Sequence, residues 1–278
     1  MYIRKDCSSA LIRVYSISVA ADRFALEKQL MVRVIKSIVR RILGRFGYEI
    51  QRISVEPSDA FLEQQRLLQG SEKLVIFDAG AHRGESAQQY KTLFPAANLF
   101  CFEPFPQSYA ALQRAIAGLT GVRAFNVALS DRVGEAEFNS NKYTATNSLL
   151  TTASEAEAVW PGGSVDTKER IRVATTTLDQ ICQELSIDGI DLLKLDVQGA
   201  EPLVLKGGEQ LLRRGKVRMI YTEILTLPTY RGQAELHEFL RMMRDYGFEL
   251  FNFFNLSTTS TGQLRQVDAV FILANAPF

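Results

Sequence analysis

Residues 73–104 read KLVIFDAGAHRGESAQQYKTLFPAANLFCFEP. After the leading lysine comes a short apolar run that ends in Asp78 and Gly80. A buried parallel strand has this pattern, because both of its faces are covered and polar alternation is lost. ESAQQYKTLF then carries apolar residues at helical spacing, and NLFCFEP is a second apolar run that closes on Glu103 and Pro104. Strand, glycine turn, helix and strand form a βαβ unit. Repeated βαβ units give a parallel sheet with helices on both faces.

The alternation continues outward from this unit. QSYAALQRAIAG reads as a helix, VRAFNVALSD as a third strand and GEAEFN as a short alternating strand. IRVATTT is a strand, LDQICQEL a helix and IDLLKLDVQG a strand that again ends in an acid. AEPLVLKGGEQLL is one helix with Pro202 in its first turn, where proline is tolerated. VRMIYTEI and AELHEFLRMMRDYG continue as strand and helix, and FELFNFFN and QVDAVFILAN follow as two strands with no helix between them. Those last two should pair antiparallel. The expected fold is α/β: a doubly wound, mostly parallel sheet with an antiparallel hairpin at one end. Residues 140–168 form a long polar insert, with PGG at 161–163. Inserts of that length are usually functional, so a lid or acceptor-recognition loop is expected there, with Tyr143 and Trp160 available to stack on a ring. Deleting 152–166 should spare cofactor binding and impair acceptor turnover.

The chain has 278 residues, 46% hydrophobic and 23% charged. That composition excludes a wholly disordered, collagen-like or disulfide-dense chain. No stretch approaches a membrane-spanning helix of some eighteen apolar residues. The net charge of +1 hides an asymmetry: residues 1–52 hold 11 Lys/Arg against 4 Asp/Glu, and residues 53–278 hold 21 against 27. Within the basic part, MVRVIKSIVRRILGRF (31–46) spaces Ile35, Ile38, Val39, Ile42 and Phe46 on one helical face, with Arg33, Lys36, Arg40, Arg41 and Arg45 supplying charge. This basic amphipathic helix suits packing on the domain, or peripheral contact with a membrane surface or a partner. No basic or aromatic continuation in the body points to nucleic acid. The expected organisation is a basic extension (1–52), a helical lead-in (53–72) and one catalytic domain (73–278). Cys7, Cys101 and Cys182 show no paired spacing, which suits a reducing compartment. With His82 and His237 as the two histidines, no zinc-like cluster is expected and no metal ligand is assigned, which leaves a carboxylate-rich metal site as the open alternative. The expected location is cytoplasmic, peripheral at the inner membrane face.

In doubly wound sheets ligands bind beyond the carboxyl ends of the strands. Here those ends read Asp78-Ala-Gly80, Glu103-Pro104, Asn126 to Asp131, Asp196 to Glu201 and Thr222-Glu223. FDAGAHRG is a D-x-G-x-x-x-G turn, and the G-x-G-x-x-G pattern that seats a pyrophosphate is absent. A nicotinamide cofactor is therefore disfavoured. Asp78 suits a cationic group. Glu103, at the end of the second strand, suits the two hydroxyls of a ribose. S-adenosylmethionine has both features, an ammonium and a sulfonium beside a ribose.

FDAGAHRGE, FEPFP, NVALSDRVGEAEF, NSLL at 147–150, TTLDQI and LLKLDVQGAEPLVLKGG occur in that order. Together they resemble the FkbM family of S-adenosylmethionine-dependent methyltransferases over roughly residues 73–225. The resemblance implies a Rossmann-like class I methyltransferase fold with strand order 3-2-1-4-5-7-6 and strand 7 antiparallel. It also implies O-methylation of a hydroxyl on a sugar, glycolipid, polyketide or other secondary metabolite. Carried over, it places Asp78, Gly80, Ala81, His82 and Gly84 around the methionine part of the cofactor. Glu103 and Pro104 fall at the ribose, and Asn126, Ala128 and Asp131 beside the adenine. Gln198 stands where the family often has Glu, and His82 where it often has Asn. The candidates for catalysis are Asp196, Glu223 and His237, with Glu201 as a further carboxylate and Tyr230 and Arg231 near the acceptor. The alternative reading is a non-catalytic binding module with the same fold at a membrane surface or partner.

Overall fold

A computed structural model of the chain describes residues 59–70 and 73–274. The basic extension 1–52, its amphipathic segment 31–46, Cys7 and residues 53–58 of the lead-in lie outside the described residues. Among the described residues, helix α1 (Ala60–Leu67) comes first. Asp59 caps it, its Oδ1 accepting from the Phe61 and Leu62 amides at 2.8 and 3.3 Å. Those are two of the donors that a helix start leaves without partners. Strand β1 (Val75–Ala79), helix α2 (Glu85–Leu93), strand β2 (Asn98–Phe102), helix α3 (Pro106–Ile116) and strand β3 (Val122–Phe125) follow. Next are β4 (Ala128–Leu129), β5 (Gly134–Asn141), a 3-10 turn (Thr144–Thr146), α4 (Ala156–Val159) and β6 (Thr167–Thr176). The remainder is α5 (Leu178–Leu185), β7 (Ile190–Leu195), α6 (Glu201–Gly207), α7 (Glu209–Arg213), β8 (Val217–Leu225), α8 (Leu236–Asp245), β9 (Phe248–Thr258) and β10 (Leu264–Leu273).

Seven strands form one sheet in the order β3-β2-β1-β7-β8-β10-β9. Strand β10 is antiparallel to both β8 and β9, and the other pairings are parallel. This is the order expected above, including the antiparallel hairpin. Successive residues of the central strands alternate between two cores. Phe77, Leu193 and Ile220 face one, with Val204 and Phe239 from the helices. Ile76, Leu192 and Met219 face the other, with Tyr90 and Leu112. Each strand is covered on both sides, so its sequence reads as a continuous apolar run.

Three expected elements differ. VRAFNVALSD is not one strand. The Asn126 side-chain amide donates to the Glu103 and Pro104 carbonyls at 2.8 and 3.0 Å, and the chain turns there. The short β4 beyond the turn leaves the main sheet and joins β6 and β5 in a separate three-stranded sheet. The helix read over 200–212 divides into α6 and α7 at Gly207-Gly208, the residue type least suited to a helix interior apart from proline. The polar insert is a folded piece. Ala153, Ala156, Val159 and Val165 are buried in it, and the Thr152 hydroxyl donates to the Val165 carbonyl at 2.7 Å. Among the described residues, no helix is long and apolar enough to cross a membrane.

Candidate active site

A cavity of about 390 Å³ opens at the carboxyl ends of β1, β2, β7 and β8. Antiparallel β10 brings its start, Gln266 and Asp268, to the same edge. The volume is in the range of small-molecule sites.

The turn after β1 forms the floor. Gly80 has φ of +80°, and a Cβ there would overlap the Asp196 carbonyl. Only glycine permits both the left-handed backbone and this approach of β1 to β7. His82 follows with φ of +45°. Its amide donates to Glu103 Oε2 at 2.9 Å, and the Phe105 amide donates to Glu103 Oε1 at 2.8 Å. Each carboxylate oxygen keeps a further lone pair for a ligand hydroxyl. Burial pushes the Glu103 carboxyl up to about 8, against the opposing pull of these two amides. At the rim, His82 Nε2 lies 3.0 Å from Thr144 Oγ1. Burial lowers the imidazole pKa, although Glu85 opposes the change.

Beneath the turn lies a charged row set by strand register. Asp78 on β1 is paired with Lys194 on β7, and Lys194 with Tyr221 on β8. Residues in register share a sheet face, so these three side chains lie side by side. Lys194 Nζ is 3.1 Å from Asp78 Oδ1 and 3.3 Å from Asp196 Oδ2. Ser86 Oγ, in the first turn of α2, donates to Asp78 Oδ2 at 2.5 Å. Burial alone would lower the Lys194 ammonium, but the two flanking carboxylates outweigh it and raise the pKa above the ordinary lysine value.

At the far end of the cavity, amides hold carboxylates. Gln198 Nε2 donates to Asp196 Oδ1 at 3.1 Å and to Glu223 Oε2 at 2.7 Å. Gln266 Nε2 donates to Glu223 Oε1 at 2.6 Å. Burial, then the nearby Asp196, Glu201 and Asp268, drive the Glu223 carboxyl well above the usual carboxylate range. Asp268 accepts from the Tyr221 hydroxyl at 2.6 Å and from Asn255 Nδ2 at 2.7 Å. Gln198 itself holds φ of +56°. Its Oε1, at 3.1 Å, and the Thr146 carbonyl, at 2.7 Å, share the single hydroxyl proton of buried Tyr230.

Of the residues singled out from sequence, Gly80, Ala81, His82, Glu103, Pro104, Ala128, Asp196 and Glu223 line this cavity. Asp78 lies beneath it, fully buried. Four others are placed elsewhere. Gly84 starts α2 with φ of +96°, and its Cα faces Leu112 and Ala115 of α3, where a Cβ would sit at 3.1 Å from each. Asn126 is the turn-forming residue described above. Asp131 turns away to pair with Arg132 and Lys206, at 3.0 and 3.1 Å. His237 is exposed on α8 and pairs with Glu235 at 3.2 Å. Glu201 is also committed elsewhere: its Oε1 accepts from the Val197 and Gly199 amides and holds the turn after β7. Arg231 is exposed. Trp160 packs against the protein, its Nε1 donating to Thr229 Oγ1 at 3.0 Å with the Arg265 guanidinium 4.0 Å from its ring centre.

Sequence reasoning missed Phe61, Ser86, Phe138, Asn147, Leu149, Lys194, Gln266 and Asp268. Lys194 and Asp268 carried a signal: a charge inside an otherwise apolar buried strand needs a partner. Phe138 and Leu149 carried none, since apolar residues in the second sheet look like any core.

A cradle that only glycine fits, a strand-end acid with two free lone pairs and a buried excess of carboxylates suit a ribose-bearing cation. With the strand order, they define a Rossmann-like methyltransferase. Residues 78–250 match the methyltransferase FkbM domain, and the chain belongs to that family. Its cofactor is S-adenosylmethionine. The chain is 34% identical over 180 residues to the 2-O-methyltransferase NoeI of Sinorhizobium fredii, covering 62% of this chain and 72% of that protein. It is 33% identical over 196 residues to the methyltransferase sdnD of Sordaria araneosa (63% of this chain, 73% of that one). With the 31-O-demethyl-FK506 methyltransferase FkbM of Streptomyces tacrolimicus the identity is 27% over 193 residues (63% and 72%).

Proposed function

We propose that this chain methylates a hydroxyl oxygen of a sugar, glycolipid or other secondary metabolite, with Glu223 as the base. The observation that carries the proposal is the placement of Glu223. It lies in the same cavity as the Gly80–Glu103 cradle, with both oxygens fixed by Gln198 and Gln266. Two relatives have names that specify O-methylation, which supports an oxygen acceptor.

Bound S-adenosylmethionine supplies an electrophilic methyl carbon on a sulfonium. The protein's part is to hold the acceptor in line and remove its proton. Fixed orientation contributes about 7–11 kcal/mol in well-aligned systems. Glu223 takes the hydroxyl proton in its ionised form; burial and the neighbouring carboxylates raise its pKa, so turnover should climb with pH as this carboxyl ionises. A positioned base contributes about 10²–10⁴-fold. Asp196, held by Lys194 and Gln198, borders both ends of the cavity and orients the cationic group. Glu103 takes the ribose hydroxyls, and Ala128, with Leu129 and Phe138, forms the apolar wall for the adenine.

The test is incubation of the purified chain with S-adenosylmethionine carrying a tritiated methyl group and a panel of neutral glycosides. Label that survives alkali is the expected product, because a methyl ether is stable where a methyl ester is hydrolysed. Glu223→Gln should lower kcat about 10²–10⁴-fold and leave cofactor affinity within twofold. Full activity in that variant removes Glu223 as the base. Residues 31–46 are further proposed to bring the enzyme to an anionic membrane face, on the strength of their charge and apolar spacing. Flotation with phosphatidylglycerol vesicles, lost when Arg40 and Arg41 become Glu, is the check.

A further inference from the structure

The match to the family covers residues 78–250. The cofactor cradle falls inside it. Three residues lining the cavity fall outside: Phe61 on α1, and Gln266 and Asp268 on β10. These three cluster at one end. The Phe61 ring lies 5.7 Å from the Tyr221 ring at 69°, and Tyr221 is hydrogen-bonded to Asp268. Gln266 is bonded to Glu223, the proposed base. The cofactor cradle is therefore built from the matched domain, whereas the opposite end joins matched residues, Gln198, Tyr221 and Glu223, to these three from its flanks.

Helix α1 is firmly held for so short an element. Ala60, Gln64, Leu67 and Leu68 are buried. The Tyr90 hydroxyl donates to Gln64 Oε1 at 3.0 Å, and Gln65 Nε2 donates to the Leu93 carbonyl at 3.0 Å. Phe61 packs on the edge of this core and is only half-buried. Its ring packs edge-on to Tyr221 and beside Tyr90, and stays partly open to the cavity. Opposite it stand amides and carboxylates. The one lysine or arginine among the described residues lining the cavity, Lys194, is paired with two acids. A ligand that suits both surfaces is uncharged and cyclic, with an apolar C–H face on one side and hydroxyls on its edge.

On the reading that this is a hydroxyl methyltransferase, we infer that Phe61 is a specificity-determining residue. Its ring packs on the face of a neutral cyclic acceptor while Glu223 and Gln266 take the hydroxyl edge. The test uses the full chain saturated with S-adenosylhomocysteine. Saturation-transfer NMR then follows binding of methyl β-D-glucopyranoside, methyl β-D-xylopyranoside, myo-inositol and acyclic sorbitol. At least one ring probe should bind, with its ring C–H protons most strongly saturated. Phe61→Leu keeps the apolar volume, and so the fold, but removes the flat face. It should weaken the ring probe about 3- to 10-fold, the range for one aromatic contact, with sorbitol unchanged. Phe61→Trp should restore the affinity. S-adenosylhomocysteine affinity should be the same in all three proteins. Equal ring binding by Phe61→Leu, a parallel fall in S-adenosylhomocysteine affinity, or no ring probe bound to the loaded protein would each overturn the inference. Failure of the wild type to bind S-adenosylhomocysteine would instead sink the methyltransferase reading beneath it.

Discussion

Replacing Lys194 by Met should destabilise the protein in a pH-dependent way. Lys194 Nζ stands 3.1 Å from Asp78, whose side chain is 0% exposed, and 3.3 Å from Asp196, which is 39% exposed. Water can solvate Asp196 after the change but cannot reach Asp78. At an effective dielectric near 20, a charge pair at the Lys194–Asp78 separation is worth about 5 kcal/mol. Part of that returns, because the ammonium no longer has to be buried. Loss of one partner from a buried pair typically costs about 3–5 kcal/mol. There is also an upper bound. The stranded carboxylate can bind a proton instead, and protonating an ordinary aspartate at pH 7 costs about 4 kcal/mol, at about 1.4 kcal/mol per pH unit above a reference pKa of 3.9. The predicted loss is therefore about 2–4 kcal/mol at pH 7.

The pH dependence is diagnostic. In the variant the folded state holds a proton that the unfolded chain releases above about pH 4. Stability relative to wild type then falls as pH rises. By this slope the deficit should shrink to about 1.5 kcal/mol at pH 5. Urea unfolding of both proteins at pH 5, 6 and 7 measures it directly. A deficit that stays constant across that range would mean the damage is packing and not charge. A deficit under about 0.5 kcal/mol at pH 7, the scatter expected of surface changes, would refute the assigned pairing.

Other outcomes follow from the same geometry. Glu103 is pushed up to about 8, so the free protein holds a proton there at neutral pH, and a cationic ligand favours its release. Calorimetric affinity for S-adenosylmethionine should rise between pH 6.5 and 8.5, with a much flatter profile in Glu103→Gln; identical profiles in the two proteins refute the assignment. Gly80→Ala should abolish detectable cofactor binding and lower the urea midpoint, because the new Cβ overlaps the Asp196 carbonyl; binding within threefold of wild type contradicts the close approach. His237→Ala should change neither cofactor affinity nor turnover, since the side chain is exposed on α8 and paired with Glu235. A tenfold loss of turnover would return it to the site.

Much of the sheet was legible because strands buried on both faces have a distinctive sequence. KLVIF, NLFCF and IDLLKL could hardly be anything else, and the missing helix between the last two strands gave the antiparallel return. The turn that floors the cavity was legible through Gly80 and Glu103, whose residue types are dictated by backbone approach and hydrogen-bonding capacity. The acceptor end was much less so. Phe61, Gln266 and Asp268 lie up to 207 positions apart in the chain, and no local pattern encodes their meeting. His237 was a candidate for its chemistry, ranked behind Glu223 and Asp196, and it lies exposed on α8 away from the cavity lining. Asp131 was favoured for its place in a motif, but its side chain found Lys206 and Arg132 instead. The polar insert looked like loose chain because its buried residues are few and small.

The position of β10 bears on how the enzyme is assembled. It is the final described strand in the chain, yet it lies inside the sheet, between β8 and β9. Strand β9 has no other neighbour there, so it must wait for its successor before it can dock. During synthesis the parallel strands β1, β2, β3, β7 and β8 emerge before it and can pair first. The Glu223 end of the cavity is completed only when the return strand slots in with Gln266 and Asp268.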